Sequence, residues 1–196
     1  MTGPVSAPGA ALLDTAARYG LVSRILHGVT AFLVLWQFAM VALYKIFGES
    51  PFLNSVARFG PHGYVGLALL FLALARIFWA LGARSRRPAP EAGLRGRLAK
   101  AMHAILLGLL VTIPSLALAR LYGKGEGWSI GGVEVIPATG RVEPIPVAVA
   151  DAAHGPLSWL LLALVGGHAA MALLHGLVWK DGTMSRMFPG AGLRRA

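Results

Sequence analysis

Four stretches of the chain lack the polar interruptions that a surface helix needs on its outer face. They run from Leu21 to Leu43, from Gly60 to Leu81, from Leu98 to Leu118 and from Ala153 to Trp179. Each approaches or exceeds the roughly 20 residues that an α-helix needs to cross about 30 Å of hydrocarbon. Leu and Ala dominate and no strand-like alternation appears, so the pattern predicts helices, with no barrel. Pro114 predicts a local kink in the third span. The 119–152 connection, rich in Gly, reads as turns around a short strand or interfacial segment at Val133–Ile136, capping one end of the bundle. Residues 1–18 read as a flexible N-terminal tail rather than a cleaved leader, 19–189 as one transmembrane domain, and 190–196 as a basic C-terminal tail. The expected fold is an all-α, integral-membrane four-helix bundle.

Composition agrees. Of 196 residues, 56% are hydrophobic and only 13% charged, against about 25% charged in a soluble domain. The 18 Lys and Arg exceed the 8 Asp and Glu, giving a formal charge of +10. All but five of those cations (Lys45, Arg58, Arg120, Lys124 and Arg141) fall on the side that carries both termini and the 82–97 loop. This asymmetry places both termini in the cytoplasm. It also accounts for the basic charge without nucleic acid, which is not an expected partner. Most Trp and Tyr residues fall where interfacial belts are expected. Cysteine is absent, which excludes thiolate metal sites and iron–sulfur ligation.

The chemistry rests on six histidines. His154, His168 and His175 are spaced by fourteen and seven residues, so on one helix they share a face, with about 21 Å between the first two. His62 opens the second span, level with His154; His27 lies in the first span, level with His168. Burial of an imidazole in lipid is costly unless a partner across the bundle satisfies it. An iron porphyrin clamped by two rings at each level meets that need and fills the bundle. Gly28, Gly63, Gly66, Gly155, Gly166 and Gly167 beside these histidines give a flat macrocycle room, and the second ring nitrogen of each should find a carbonyl or hydroxyl. Simple interhelical hydrogen bonding is the bland alternative. Zinc is disfavoured because four compact ligands are missing, and a proton relay because no Asp or Glu lies within the spans. His103 and His175 stand at the inner headgroup level. Arg76 pairs with a propionate or quinone carbonyl, or else snorkels to lipid phosphate.

Four segments carry a resemblance: RYGLVSRILHG at 18–28, PHGYVGLALLFLALAR at 61–76, LAKAMHAILLGLLVTIP at 98–114, and 151–189 with its HAAMALLHGLVWKD and MFP elements. Together they resemble the bacterial cytochrome b561 family, compact di-haem, quinone-linked proteins that include superoxide oxidases. The resemblance implies two haem b groups, with His27 and His168 as inner axial ligands and His62 and His154 as outer ones. It implies electron flow from an outer donor, superoxide or a periplasmic redox protein, to ubiquinone in the bacterial inner membrane. His175, His103 and Arg76 are then candidate quinone or propionate contacts, and Lys124 and Arg58 candidate residues for steering superoxide. Gly28 stands where the family often has tryptophan, and Lys100 where some relatives carry histidine. Similar bundles serve hydrogenases and formate dehydrogenases, which keeps a docking-subunit role open. A non-enzymatic scaffold or channel is the remaining alternative.

Overall fold

A computed structural model describes residues 12–89 and 91–188. Its elements are α1 (Leu21–Phe47), α2 (Pro51–Ala57), α3 (His62–Gly82), α4 (Gly93–Lys124), β1 (Trp128–Ile130), β2 (Val133–Ile136), α5 (Pro144–Leu173), a π-helical turn (Leu174–Trp179) and α6 (Thr183–Met187). The four expected spans are α1, α3, α4 and α5, all long and apolar enough to cross a membrane. Three run further than their apolar runs. α1 continues to Phe47, α4 gains turns at both ends, and α5 begins nine residues before the expected start. Amphipathic turns continue a helix past the hydrocarbon boundary because the backbone ladder is indifferent to side-chain polarity. Pro114 and Pro156 both lie inside unbroken helices. The all-α expectation needs one amendment: β1 and β2 form a small antiparallel hairpin, which includes the expected Val133–Ile136 strand.

The helices pack as a chain of neighbours. α3 lies against both α1 and α4, and α4 lies along α5, whereas α5 does not pack closely on α1 or α3. The buried core joins Val34, Val65, Leu69, Ala73, Leu109, Leu110, Ile113 and Leu161. Ala73 and Thr30 are almost wholly buried, the small side chains at which membrane helices come close. Most large apolar residues on the outside, Phe32, Phe71 and Phe78 among them, remain exposed, as a lipid-facing surface requires.

The connection after α4 is shorter and more ordered than its sequence suggests. Gly125 takes the left-handed conformation that ends α4, at φ 72°, and its carbonyl accepts from the N–H groups of Thr139 and Gly140. Glu143 N–H closes the turn on the Gly123 carbonyl at 2.8 Å. Trp128 of β1 then reaches α3: it lies 5.8 Å from the Tyr64 ring, and a β-carbon on Gly63 would come within 3.2 Å of its indole. Gly63 therefore makes room for the hairpin, not for a macrocycle as its position beside His62 suggested.

At the opposite end, the stretch expected to be a loose tail is anchored from residue 12 onward; residues 1–11 and the expected tail at 190–196 lie outside the described residues. The Asp14 carboxylate is buried. It accepts from Gly20 N–H and Ser23 Oγ–H, each at 2.8 Å, and pairs with Arg87 Nε at 2.9 Å. Trp79 Nε1–H donates to the same Ser23 Oγ at 2.8 Å. Tyr19 N–H donates to the Arg186 carbonyl at 3.0 Å, drawing α6 to this end. Trp79 and Trp36, expected as belt residues, thus hydrogen-bond within the protein, Trp36 to the Gly60 carbonyl at 3.1 Å.

Replacing Asp14 with Ala strands Arg87, Ser23 and the N–H of Gly20, the N-cap of α1. It should cost about 3–5 kcal/mol, the range for breaking a buried ion pair, read as a lowered Tm in detergent. An unchanged Tm would show that the knot contributes no stability. Gly63→Leu should loosen the hairpin and speed tryptic cleavage at Arg141, leaving cleavage elsewhere unaltered.

Candidate functional site

α5 supplies one histidine to each of two levels. Near one end of the bundle, His154 meets His62 of α3 with ring centroids 6.2 Å apart and planes at 63°. Fourteen residues further along α5, His168 meets His27 of α1 at 6.3 Å and 50°. An imidazole nitrogen sits about 2 Å from a metal it binds, and the ring centre about 1 Å further back, so two rings sharing one metal stand about 6 Å apart. Both pairs have that separation. Both also span the seam where α5 does not pack closely on α1 or α3.

Surrounding atoms suit a bound porphyrin. His154 Nδ1 lies 3.1 Å from the Ile113 carbonyl of α4, so its other nitrogen faces His62, the second contact expected of a metal-ligating ring. That carbonyl precedes Pro114. A β-carbon added at Gly28, Gly155, Gly166 or Gly167 would touch no neighbouring atom, and at Gly66 the nearest is Gln37 Nε2 at 3.7 Å. Among the described residues no group of three or more His, Asp and Glu is placed to hold a bare metal ion. Paired imidazoles with open backbone between them fit haem iron, whose other four ligands come from the porphyrin.

His103 is closer to this centre than its place near Lys100 suggested. Its ring lies 5.2 Å from His168, edge to face. Arg76 shares the level, its charge reaching His27, His103 and His168. Phe188, just past α6, sets its ring edge to face with His27 at 6.4 Å. Sequence reasoning missed Phe188, although the MFP element that contains it was noted.

His175 stands apart from both pairs, hydrogen-bonded to Asp181. Neither steering candidate lines the cleft that His62 lines. Arg58 is the exposed C-cap of α2, and Lys124 is the half-buried last residue of α4 rather than a loop residue. A cation that does share that cleft is Lys45. It lines the cleft, of about 370 Å³, with Gln37, Met40, Tyr44, Gly60 and His62, and its ammonium lies 5.3 Å from the centre of the Trp159 ring. Arg120, on the same side, is already paired with Asp151.

Comparison with known proteins agrees with this geometry. Residues 18–190 match the family model described as prokaryotic cytochrome b561. The chain is 30% identical over 182 residues to cytochrome b561 homolog 2 of Escherichia coli strain K12, covering 89% of this chain and 93% of the relative. It is 27% identical over 176 residues to the Yersinia pestis protein named "Probable superoxide oxidase CybB", covering 88% and 96%. Cytochrome b561 homolog 1 of E. coli K12 is 25% identical over 175 residues, covering 88% and 97%. The chain belongs to the prokaryotic cytochrome b561 family and is a haem b electron-transfer protein that crosses the bacterial inner membrane several times.

Proposed function

We propose that the chain holds two haem b groups in series and carries electrons from superoxide, arriving at the His62–His154 end, to ubiquinone at the His27–His168 end. One observation carries this reading: two imidazole pairs of matching separation, stacked at two depths and sharing α5. Haem bound at each level would supply a one-electron centre there, tuned by the imidazoles that hold it and by burial. The overall stoichiometry balances. Two superoxide anions leave as two O₂, and their two electrons, with two protons from water, convert quinone to quinol.

The chain's own residues supply the rest. His27 with His168, and His62 with His154, would hold the two haem groups, with the Ile113 carbonyl fixing the tautomer of His154. The Lys- and Arg-rich connections at the His27–His168 end make it cytoplasmic, so the cleft beside His62 opens to the periplasm. Lys45 draws a small anion into that cleft, while Arg58 and Lys124 act from further out. Acidic Glu49, Glu126, Glu134 and Glu143 share this side, so attraction is local to the cleft rather than a property of the whole face. At the other end Arg76 and His103 lie beside the inner pair, positioned for a propionate or a quinone carbonyl, and His175 lies beyond them toward the surface.

A second reading makes the chain the cytochrome b subunit of a periplasmic dehydrogenase or hydrogenase. The hairpin favours it, because the exposed Val133 and Val135 offer a partner an apolar strand beside the outer end. Purified protein that is reduced by superoxide alone argues for the first reading; reduction only within a larger complex argues for the second. A scaffold or channel would carry no haem in either case.

Purified protein should contain two haem b per chain, with the sharp reduced α-band of bis-histidine ligation. His62→Ala or His154→Ala should lose one haem, and His27→Ala or His168→Ala the other. Full haem content in any of these variants would remove that residue from the ligand set. Lys45→Gln should slow superoxide-driven haem reduction by about threefold or more at low ionic strength and much less at high salt, with Lys124→Gln showing the smaller effect. Equal rates for wild type and Lys45→Gln at low salt would exclude Lys45 from steering.

A further inference from the structure

α5 does not end as an α-helix. From Leu174 to Trp179 the backbone takes π geometry, a form that recurs at functional sites. Lys180 follows at φ 50°, in the left-handed region that residues other than glycine seldom occupy. The two departures fold the chain back so that Asp181 reaches His175, Oδ2 to Nδ1, at 2.5 Å. Asp181 Oδ1 accepts the Thr183 N–H at 3.0 Å, which fixes the carboxylate from its other side. Trp179 holds the imidazole edge to face at 4.7 Å, and Arg95 of α4 lies over that indole.

The other ring nitrogen, Nε2, has no hydrogen-bond partner among the described residues and is not sealed from the surface. An imidazole with one nitrogen on a carboxylate and the other open can exchange protons. We propose that Asp181 is a positioning residue that fixes His175 with its proton on Nδ1 and supports the charged ring, so that Nε2 exchanges a proton with ubiquinone as it is reduced. This assignment rests on the quinone reading above and adds the proton route to it. As each electron arrives from the inner level, the Nε2–H bond breaks, an O–H bond forms on a quinone oxygen, and water reprotonates Nε2. Two such cycles complete the quinol.

Among the charged groups around this turn, Asp181 touches the ring. Lys180 adjoins it in the chain, Arg95 faces Trp179, and Arg186 of α6 is exposed. Partial burial works to raise the Asp181 pKa, but the Thr183 N–H, the His175 ring and the Thr183 hydroxyl bring it down to about 2. Its folded value is depressed, so the contact is at full strength above the ordinary carboxylate range near pH 4. It is lost as pH falls through about 2.

The test uses purified, haem-loaded protein and a soluble ubiquinone analogue. Asp181→Asn should lower kcat for quinone reduction by about tenfold or more, leaving KM, haem content and donor-driven haem reduction unchanged, and Asp181→Glu should recover part of the loss. Nitrogen-15 spectra, with His175 assigned by loss of its signal in His175→Gln, should show the Nδ1–H form in wild type. If His175→Gln abolishes turnover while Asp181→Asn matches wild type, the positioning role is overturned and the quinone contact stands. If neither variant changes turnover, the contact of His175 with quinone falls as well. A wild-type His175 signal without the Nδ1–H form overturns the proposal even if the Asp181 variants fail to fold.

Discussion

An imidazole ring in hydrocarbon costs free energy until both of its nitrogens are engaged, and the bundle is arranged around that cost. Helical backbone meets it only in part: the Ile113 carbonyl of α4 takes one nitrogen of His154, and the other nitrogen needs a partner across the bundle. The rings therefore meet in twos across the bundle, about 6 Å apart, which holds α5 away from α1 and α3. Tight packing is confined to the other seams. The small residues Ala73 and Thr30 lie along α1 and α3, and a zipper of Leu109, Leu110, Ile113 and Leu161 joins α4 to α5. A bundle of four equally packed helices would bury more apolar surface, but it would leave no place for a plate of conjugated carbon. The open seam and the histidine pairs answer the same constraint.

The two ends are finished by different physics. At the His27–His168 end, polar groups interlock through Asp14, Ser23, Arg87 and Trp79, and α6 is tied in by the Tyr19 to Arg186 contact. Little there relies on apolar burial. At the His62–His154 end, a hairpin folds back from α4 and seats Trp128 against Tyr64 and Gly63. Beside it the Lys45 cleft remains open. One end is thus knotted by charge and hydrogen bonds, while the other carries a lid of β-structure over part of its mouth.

Length and hydropathy made the four spans legible, because a membrane imposes one period and one minimum length on every helix that crosses it. Helical arithmetic, fourteen residues to four turns, also made the partners of His154 and His168 legible by depth. Contacts between residues far apart in sequence were not. Asp14 and Arg87 are separated by 73 residues, and nothing in the Gly- and Ala-rich start of the chain marks Asp14 as buried. His103 was read from its basic neighbours, whereas the direction of its ring is set by the twist of α4. Lys45 was only one of several cations until α2 folded beside α1 and enclosed a cleft with it. Helix ends were underestimated for a simpler reason: hydropathy marks where lipid stops, which is not where the hydrogen-bonded backbone stops.

Because one helix furnishes a ring to both levels, the two histidine pairs are mechanically linked through it. A shift or rotation of α5 would alter the separation of both ring pairs together. α1 and α3 each serve a single level and are free to adjust it alone. Divergence among relatives that tunes one pair without the other should accordingly accumulate on α1 and α3, with α5 kept as the common rail.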